Sequence, residues 1–189
     1  MIARESHPAS IKSSGPWMLG VDRSGHIASE LQGRYSELID SYGAHLAIAL
    51  EMLGGPKVFT HVPENRLEVH HWVSQGIPSA AIFHLASAMD PMPSTVLSEA
   101  LGISIRTLHR KKGTPGETLT VAQGGRTFKF AEVVAKAAVI LGSREGALQW
   151  LTAPAIGLDQ QKPIDLLATP VGTQLVEELL GRIEHGIYA

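Results

Sequence analysis

Residues 104–112, Ser-Ile-Arg-Thr-Leu-His-Arg-Lys-Lys, gather side chains that suit a polyanion. A guanidinium such as that of Arg106 can make two parallel hydrogen bonds to a guanine edge. Ser104, Thr107 and His109 offer partners for phosphate or base edges. Arg110, Lys111 and Lys112 suit phosphates, where positive charge releases condensed counterions. With Ser104 as N-cap, the start of the helix itself favours an anion. Six basic residues and one acidic residue, Glu117, fall within 104–129, whereas 154–189 holds two basic and five acidic residues. A chain with a formal net charge of −2 is therefore divided into a basic middle and an acidic end.

A basic strip reads DNA only if a second element holds it. Residues 94–102 form the expected first helix, with Ser94 as its N-cap. Ser98 is the small residue needed where two helices cross, and Gly102 permits the tight turn. Leu97, Leu101, Ile103 and Leu108 are spaced to lie buried beneath. This is the pattern of a helix-turn-helix whose second helix enters the major groove. Lys111 stands where that motif normally packs an apolar residue, which suggests a short helix ending over phosphate. A plain corner of two helices with a solvated basic face would share much of the pattern.

Other chemistries find less support. The chain has no cysteine, which excludes disulfides, thiol chemistry and thiolate zinc sites. Of its nine histidines, His70 and His71 are adjacent and would point about 100° apart on a helix. No HExxH occurs, and no His/Asp/Glu group has ligand spacing. His185 suits the dipole at the end of a helix. Gly124-Gly125-Arg126 lacks the lysine and context of a phosphate loop. No serine sits in a nucleophile elbow. The expectation is no catalytic residue, no metal and no cofactor.

The elements that must position the basic strip follow from the apolar period. Apolar residues make up 44% of the 189, enough for a sizeable core. No run approaches the ~20 apolar residues of a membrane span. Residues 1–17 lack the apolar core of a secretory signal, so a soluble, cytoplasmic protein is expected. Residues 1–34 read as a loose arm. Residues 35–53 recur at helical spacing until Gly54-Gly55-Pro56 breaks them, and 57–62 read as a short strand or linker. Helices follow from Asn65 to Gly76 and from Pro78-Ser79 to Asp90-Pro91. Residues 113–125 read as loop or hairpin, 127–141 as a strongly apolar helix, and 144–151 as a helix capped by Ser143. One turn falls near 164–167. The last helix begins at Thr169-Pro170, a cap followed by proline, and Gly186 can end it. The fold expected is all-α, and the pattern also allows a short hairpin near 117–129. The expected units are the arm 1–34, a helical domain 35–141 and a C-terminal domain 142–189.

The C-terminal unit carries a second pattern: Trp150-Leu151, Pro154, Leu158, Pro163, Leu166-Leu167, Thr169, Gly172, Val176, Leu179-Leu180, Ile183 and His185-Gly186. Together these resemble the toxin-binding domain of the Xre/MbcA/ParS-type antitoxins. Upstream, Gly76-Ile77-Pro78 and Leu101-Gly102-Ile103-Ser104, with Arg106-Thr107-Leu108 and Arg110, resemble the Xre-like region of the same family. The resemblance covers roughly residues 50–189. One departure is Asp159-Gln160-Gln161, where relatives commonly carry a glycine-containing turn.

The residues themselves suggest a division of labour. Trp150, Leu166, Leu167, Leu175, Leu179 and Ile183 suit the domain's own core. Pro154 and Pro163 restrict the connecting loop, which lowers the entropy lost on docking. Gly172 and Gly181 permit close approach of another backbone. Partner contact is assigned to the loop 154–163 and the tail 182–189: Pro154, Leu158, Asp159, Lys162, Pro163, Arg182, Glu184, His185, Gly186, Tyr188 and Ala189.

The resemblance implies a non-enzymatic antitoxin of a type II toxin–antitoxin system. Its partner would be a toxin of the RES-domain family, associated with consumption of NAD, whose active site the antitoxin obstructs. Glu184 or the chain terminus could meet arginines in a pocket built for a phosphate-bearing substrate. The helix-turn-helix would bind operator DNA, as a homodimer within a larger complex, and repress the protein's own operon. The competing reading is a stand-alone helix-turn-helix regulator whose C-terminal domain only dimerises. A small hydrolase using histidines ranks third.

Overall fold

The computed structural model describes residues 29–112, 114 and 116–187. The arm expected at 1–34 thus lies outside the described residues up to residue 28, and 29–34 already belong to a helix. Ten α-helices follow one another among the described residues: α1 (Ser29–Tyr42), α2 (Ala44–Met52), α3 (Arg66–Gln75), α4 (Ala80–Ala88), α5 (Ser94–Leu101), α6 (Ile105–Lys112), α7 (Val121–Ile140), α8 (Arg144–Thr152), α9 (Pro163–Leu166) and α10 (Pro170–Glu184). No strand occurs among them; Pro78 and Thr118 make an isolated bridge. None of the described helices is long and apolar enough to cross a membrane.

The centre of the molecule is α7 against α2. Residues 46–52 of α2 are buried on every side, as expected of a helix that is apolar all round. From α7 come Phe128, Phe130, Val133, Val134 and several alanines, whose small side chains let the helices approach. The single helix expected at 35–53 is two. Gly43 lies at φ 84°, a left-handed conformation that favours glycine and turns the chain between α1 and α2. The turn sets α1 against α2, so that Glu51, buried on α2, accepts from Arg34 Nη1 at 2.7 Å and Tyr35 Oη at 2.9 Å. Burial, with the Glu51 charge beside it, raises the Tyr35 phenol. The segment 57–62 contains no strand; a 3-10 turn spans Gly55–Lys57.

The hairpin expected near 117–129 is absent, because α7 begins at Val121. Thr120 Oγ1 accepts from the Gln123 amide, and Gln123 Oε1 from the Thr120 amide, each at 3.3 Å. This reciprocal capping box starts the helix. Gly124 and Gly125 therefore sit inside α7, facing Ile77 and Val73. The loop before α7 runs along the start of α4, with the Leu119 amide on Ile77 O at 2.8 Å and the Ser79 amide on Glu117 O at 2.7 Å.

Helix α7 also reaches the C-terminal elements, touching both α8 and α10. Ser143 caps α8 and Thr169 caps α10 by accepting from the Gly146 and Gly172 amides. Glu132, buried on α7, pairs with Arg66 Nη2 of α3 at 2.7 Å and Lys129 Nζ at 3.2 Å, and Lys129 reaches Glu177 of α10 at 2.6 Å. One chain of charges thus ties α3, α7 and α10.

Candidate functional site

Two surfaces carry the residues singled out by sequence. The first is the corner α5–α6. Helix α5 starts at Ser94 with Pro93 as its cap residue, so Ser94 is not the N-cap. It ends at Gly102, left-handed at φ 59° and ψ 33°. Amides of Gly102 and Ile103 close the turn on the carbonyls of Glu99 and Ser98, each at 3.0 Å. Ser98, Leu97, Leu101, Ile103 and Leu108 are all buried. Burying each leucine or isoleucine contributes about 1.5–3 kcal/mol to holding the two helices together. Ser104 Oγ accepts from the Thr107 amide at 3.2 Å and donates to Thr107 Oγ1 at 2.9 Å, which caps α6.

Arg106, His109 and Arg110 project from α6 into solvent, Ser104 is exposed, and Thr107 is half-buried. The Lys112 side chain lies outside the described residues. Lys111 does not meet the expectation of a phosphate contact. Its side chain is 9% exposed and lies inward, donating to Glu117 Oε2 and to Thr118 O, both at 2.9 Å. The apolar position of the motif is thus filled by a buried ammonium whose charge is met within the fold. Arg110 Nη1 lies 3.6 Å from the same Glu117 oxygen. The Lys111 hydrogen bond and charge hold the Glu117 carboxyl below its ordinary range.

A residue not assigned by sequence joins this surface. Arg126 extends from the first turns of α7, and its Nη1 donates to Gly102 O at 3.2 Å. It is exposed, so a guanidinium stands beside the turn. Its place in the basic count was visible, but the expected loop at 113–125 hid the helix that aims it.

The second surface belongs to the C-terminal elements. Between α8 and α9 the chain makes a 3-10 turn at Ile156–Leu158. Asp159 and Gln160 follow at φ 51° and 61°, both left-handed, where a glycine would be unstrained. This is the stretch where the resemblance implies a glycine-containing turn. The Ala155 amide bonds Gln161 O, and the Gln160 amide bonds Ala155 O, each at 3.0 Å. Pro154, Asp159 and Lys162 are exposed, whereas Leu158 and Pro163 are buried. These last two hold the loop onto the core and are not available as contacts. Arg182 is half-buried, with Nη2 3.5 Å from Gly157 O. Glu184, His185 and Gly186 are exposed. Tyr188 and Ala189 lie outside the described residues.

Gly172 is required by a close approach. A Cβ there would lie 2.1 Å from Leu166 O, so α9 sits against the start of α10 only if that side chain is missing. Gly181 has nothing within 4 Å of such a position, and no close approach explains it. Leu175, expected in the core, is 45% exposed; Ile156 is 78% exposed, Val171 70% and Ile187 59%. The helical stripe did not reveal this, because an exposed leucine and a core leucine recur at the same spacing. The turn at Gly157 touches α10 at Leu179, one turn after Leu175, and the Ile187 amide bonds Arg182 O at 2.8 Å. The exposed apolar residues Ile156, Leu175 and Ile187 therefore flank one stretch of α10.

Among the described residues no three His, Asp or Glu stand close enough to hold a metal ion.

Residues 68–132 match the family model of the antitoxin Xre-like helix-turn-helix domain. Residues 136–186 match that of the antitoxin Xre/MbcA/ParS C-terminal toxin-binding domain. Curated relatives bear the name Antitoxin Xre. The one from Yersinia enterocolitica is 32% identical over 99 residues, 52% of this chain and 66% of the relative. The one from Photorhabdus laumondii is 29% identical over 148 residues, 69% of this chain and 98% of the relative. A third, from Pseudomonas putida, is 33% identical over 84 residues, 44% of this chain and 52% of the relative.

Proposed function

We propose that this chain, which belongs to the Xre/MbcA/ParS-type antitoxins, binds a RES-domain toxin through its C-terminal surface and obstructs an NAD-consuming active site. As a homodimer, through α5–α6, it binds its own operator and represses the operon. The observation that carries the toxin half is that Ile156, Leu175 and Ile187 stay exposed in a domain whose buried core is made by Leu158, Ile164, Leu167, Val176 and Leu180. Apolar groups clustered on a surface mark a partner site. The acidic tail, with Glu184 exposed, supports the expectation that a carboxylate enters a pocket lined by basic groups. The DNA half is supported by the capped α6, with Arg106 and Arg110 free of the core and Arg126 beside the turn.

The test is co-expression of the chain with the toxin gene that neighbours its own, scored by growth. The full chain is expected to restore growth and to co-purify with the toxin. A chain ending after Arg182 is expected to do neither. Full rescue by the truncated chain would remove the tail from the mechanism. DNA binding without any rescue or co-purification would favour the stand-alone regulator.

A further inference from the structure

The carboxylate of Glu117 is a feature that a DNA-binding surface does not need. It follows α6 by one short loop and stands beside Arg110 at 3.6 Å. Lys111 fixes it there through a 2.9 Å hydrogen bond from an ammonium that is otherwise buried. A buried cation without its partner is strongly disfavoured, so Glu117 is not free to swing away. An apolar side chain at 111 would fill the same position with no charge to compensate. The ion pair therefore does something that a simple core residue would not: it places a permanent negative charge at the end of the recognition helix. The hydrogen bond from Lys111 keeps that carboxyl ionised, and about half of its side chain is exposed, at 48%.

The geometry points to Glu117 as an intramolecular competitor of the DNA backbone. It occupies Arg110 in the free protein, repels approaching phosphates, and so lowers both DNA affinity and its salt dependence. Lys111 acts as the positioning residue that holds the competitor in place. This inference rests on the reading of α5–α6 as a DNA-binding surface. A phosphate that reaches Arg110 must displace Glu117 from it, and the gain in counterion release is reduced accordingly.

The experiment uses the full chain, alone and co-purified with its toxin. Binding is followed by fluorescence anisotropy across a salt series, on a labelled duplex of the promoter region preceding its reading frame and on a scrambled duplex of equal length. Thermal melting checks that each variant is folded. Glu117→Gln keeps a hydrogen-bond acceptor for Lys111 and removes the charge. The double variant Lys111→Met, Glu117→Gln removes the pair and fills the inward position with an apolar side chain. Both are expected to bind about three- to tenfold more tightly at low salt. The slope of log affinity against log salt should steepen by about 0.9, the value of one added phosphate contact. Lys111→Met alone keeps the Glu117 charge but removes the group that holds it, and is expected to bind with an affinity between those of the wild type and the double variant. Unchanged slopes in both Gln variants, with the wild type binding, would reduce Glu117 to a helix lock and overturn the proposal. Absence of binding by the wild type and by every variant would overturn the DNA reading and this inference together.

Discussion

The corner α5–α6 and the surface around α10 are both built on a closed apolar core, yet they present opposite materials. The first shows guanidiniums and hydroxyls, with its leucines turned inward. The second shows isoleucine, valine and leucine, and the carboxylates of Asp159, Glu178 and Glu184 are exposed in the same C-terminal region. Charge that meets a polyanion gains from counterion release and weakens with salt. Apolar area that meets a protein gains from water released and tolerates salt. The same chain is thereby equipped to hold two partners by forces that respond to different conditions.

The sharpest way to break this contrast is to put charge on the apolar surface. Ile156→Asp combined with Leu175→Asp is expected to weaken toxin binding by more than about hundredfold, measured by calorimetry or loss of co-purification. DNA binding should stay within about twofold. If toxin binding survives, the partner sits elsewhere. Next in size is Gly172→Ala. The new methyl would overlap Leu166 O, and a loss of about 2–3 kcal/mol in chemical denaturation is expected. Toxin binding should fall with it. Arg106→Ala tests the other region. A loss of about 1–3 kcal/mol on promoter DNA is expected, with less on a scrambled duplex and none on toxin. Equal losses on both duplexes would assign Arg106 to the backbone. The smallest effect is a gain. Gln160→Gly should stabilise the folded chain by up to about 1 kcal/mol in thermal or urea melts. A loss would mean that the Gln160 side chain holds the loop.

Much of this was legible in the sequence, for identifiable reasons. Ser143, Thr169-Pro170, Gly102 and Gly186 are local signals, and each marks an observed helix end. The start of α7 was misjudged because Gly124-Gly125 outweighed Thr120 and Gln123, whose spacing already spelled a capping box. Lys111 stands at the motif's apolar position yet reads from sequence as a phosphate contact, because its partner Glu117 comes from a loop whose path depends on the start of α4. No local signal announces such a pair. The exposure of Val171 and Leu175 was hidden for a related reason. Periodicity identifies a stripe, and only the neighbours packed against it decide how wide the buried part is.

Helix α7 also has a practical meaning for anyone recombining these proteins. The two family matches end and begin at residues 132 and 136, and both points lie within this one continuous helix. A chimera joined there would pair half a helix from one parent with half from another. The incoming α10 would meet foreign side chains in the retained half of α7, Lys129 and Phe130 among them. Exchange of the C-terminal elements between relatives therefore requires α7 to travel with them, or its inward residues to be matched before the cut.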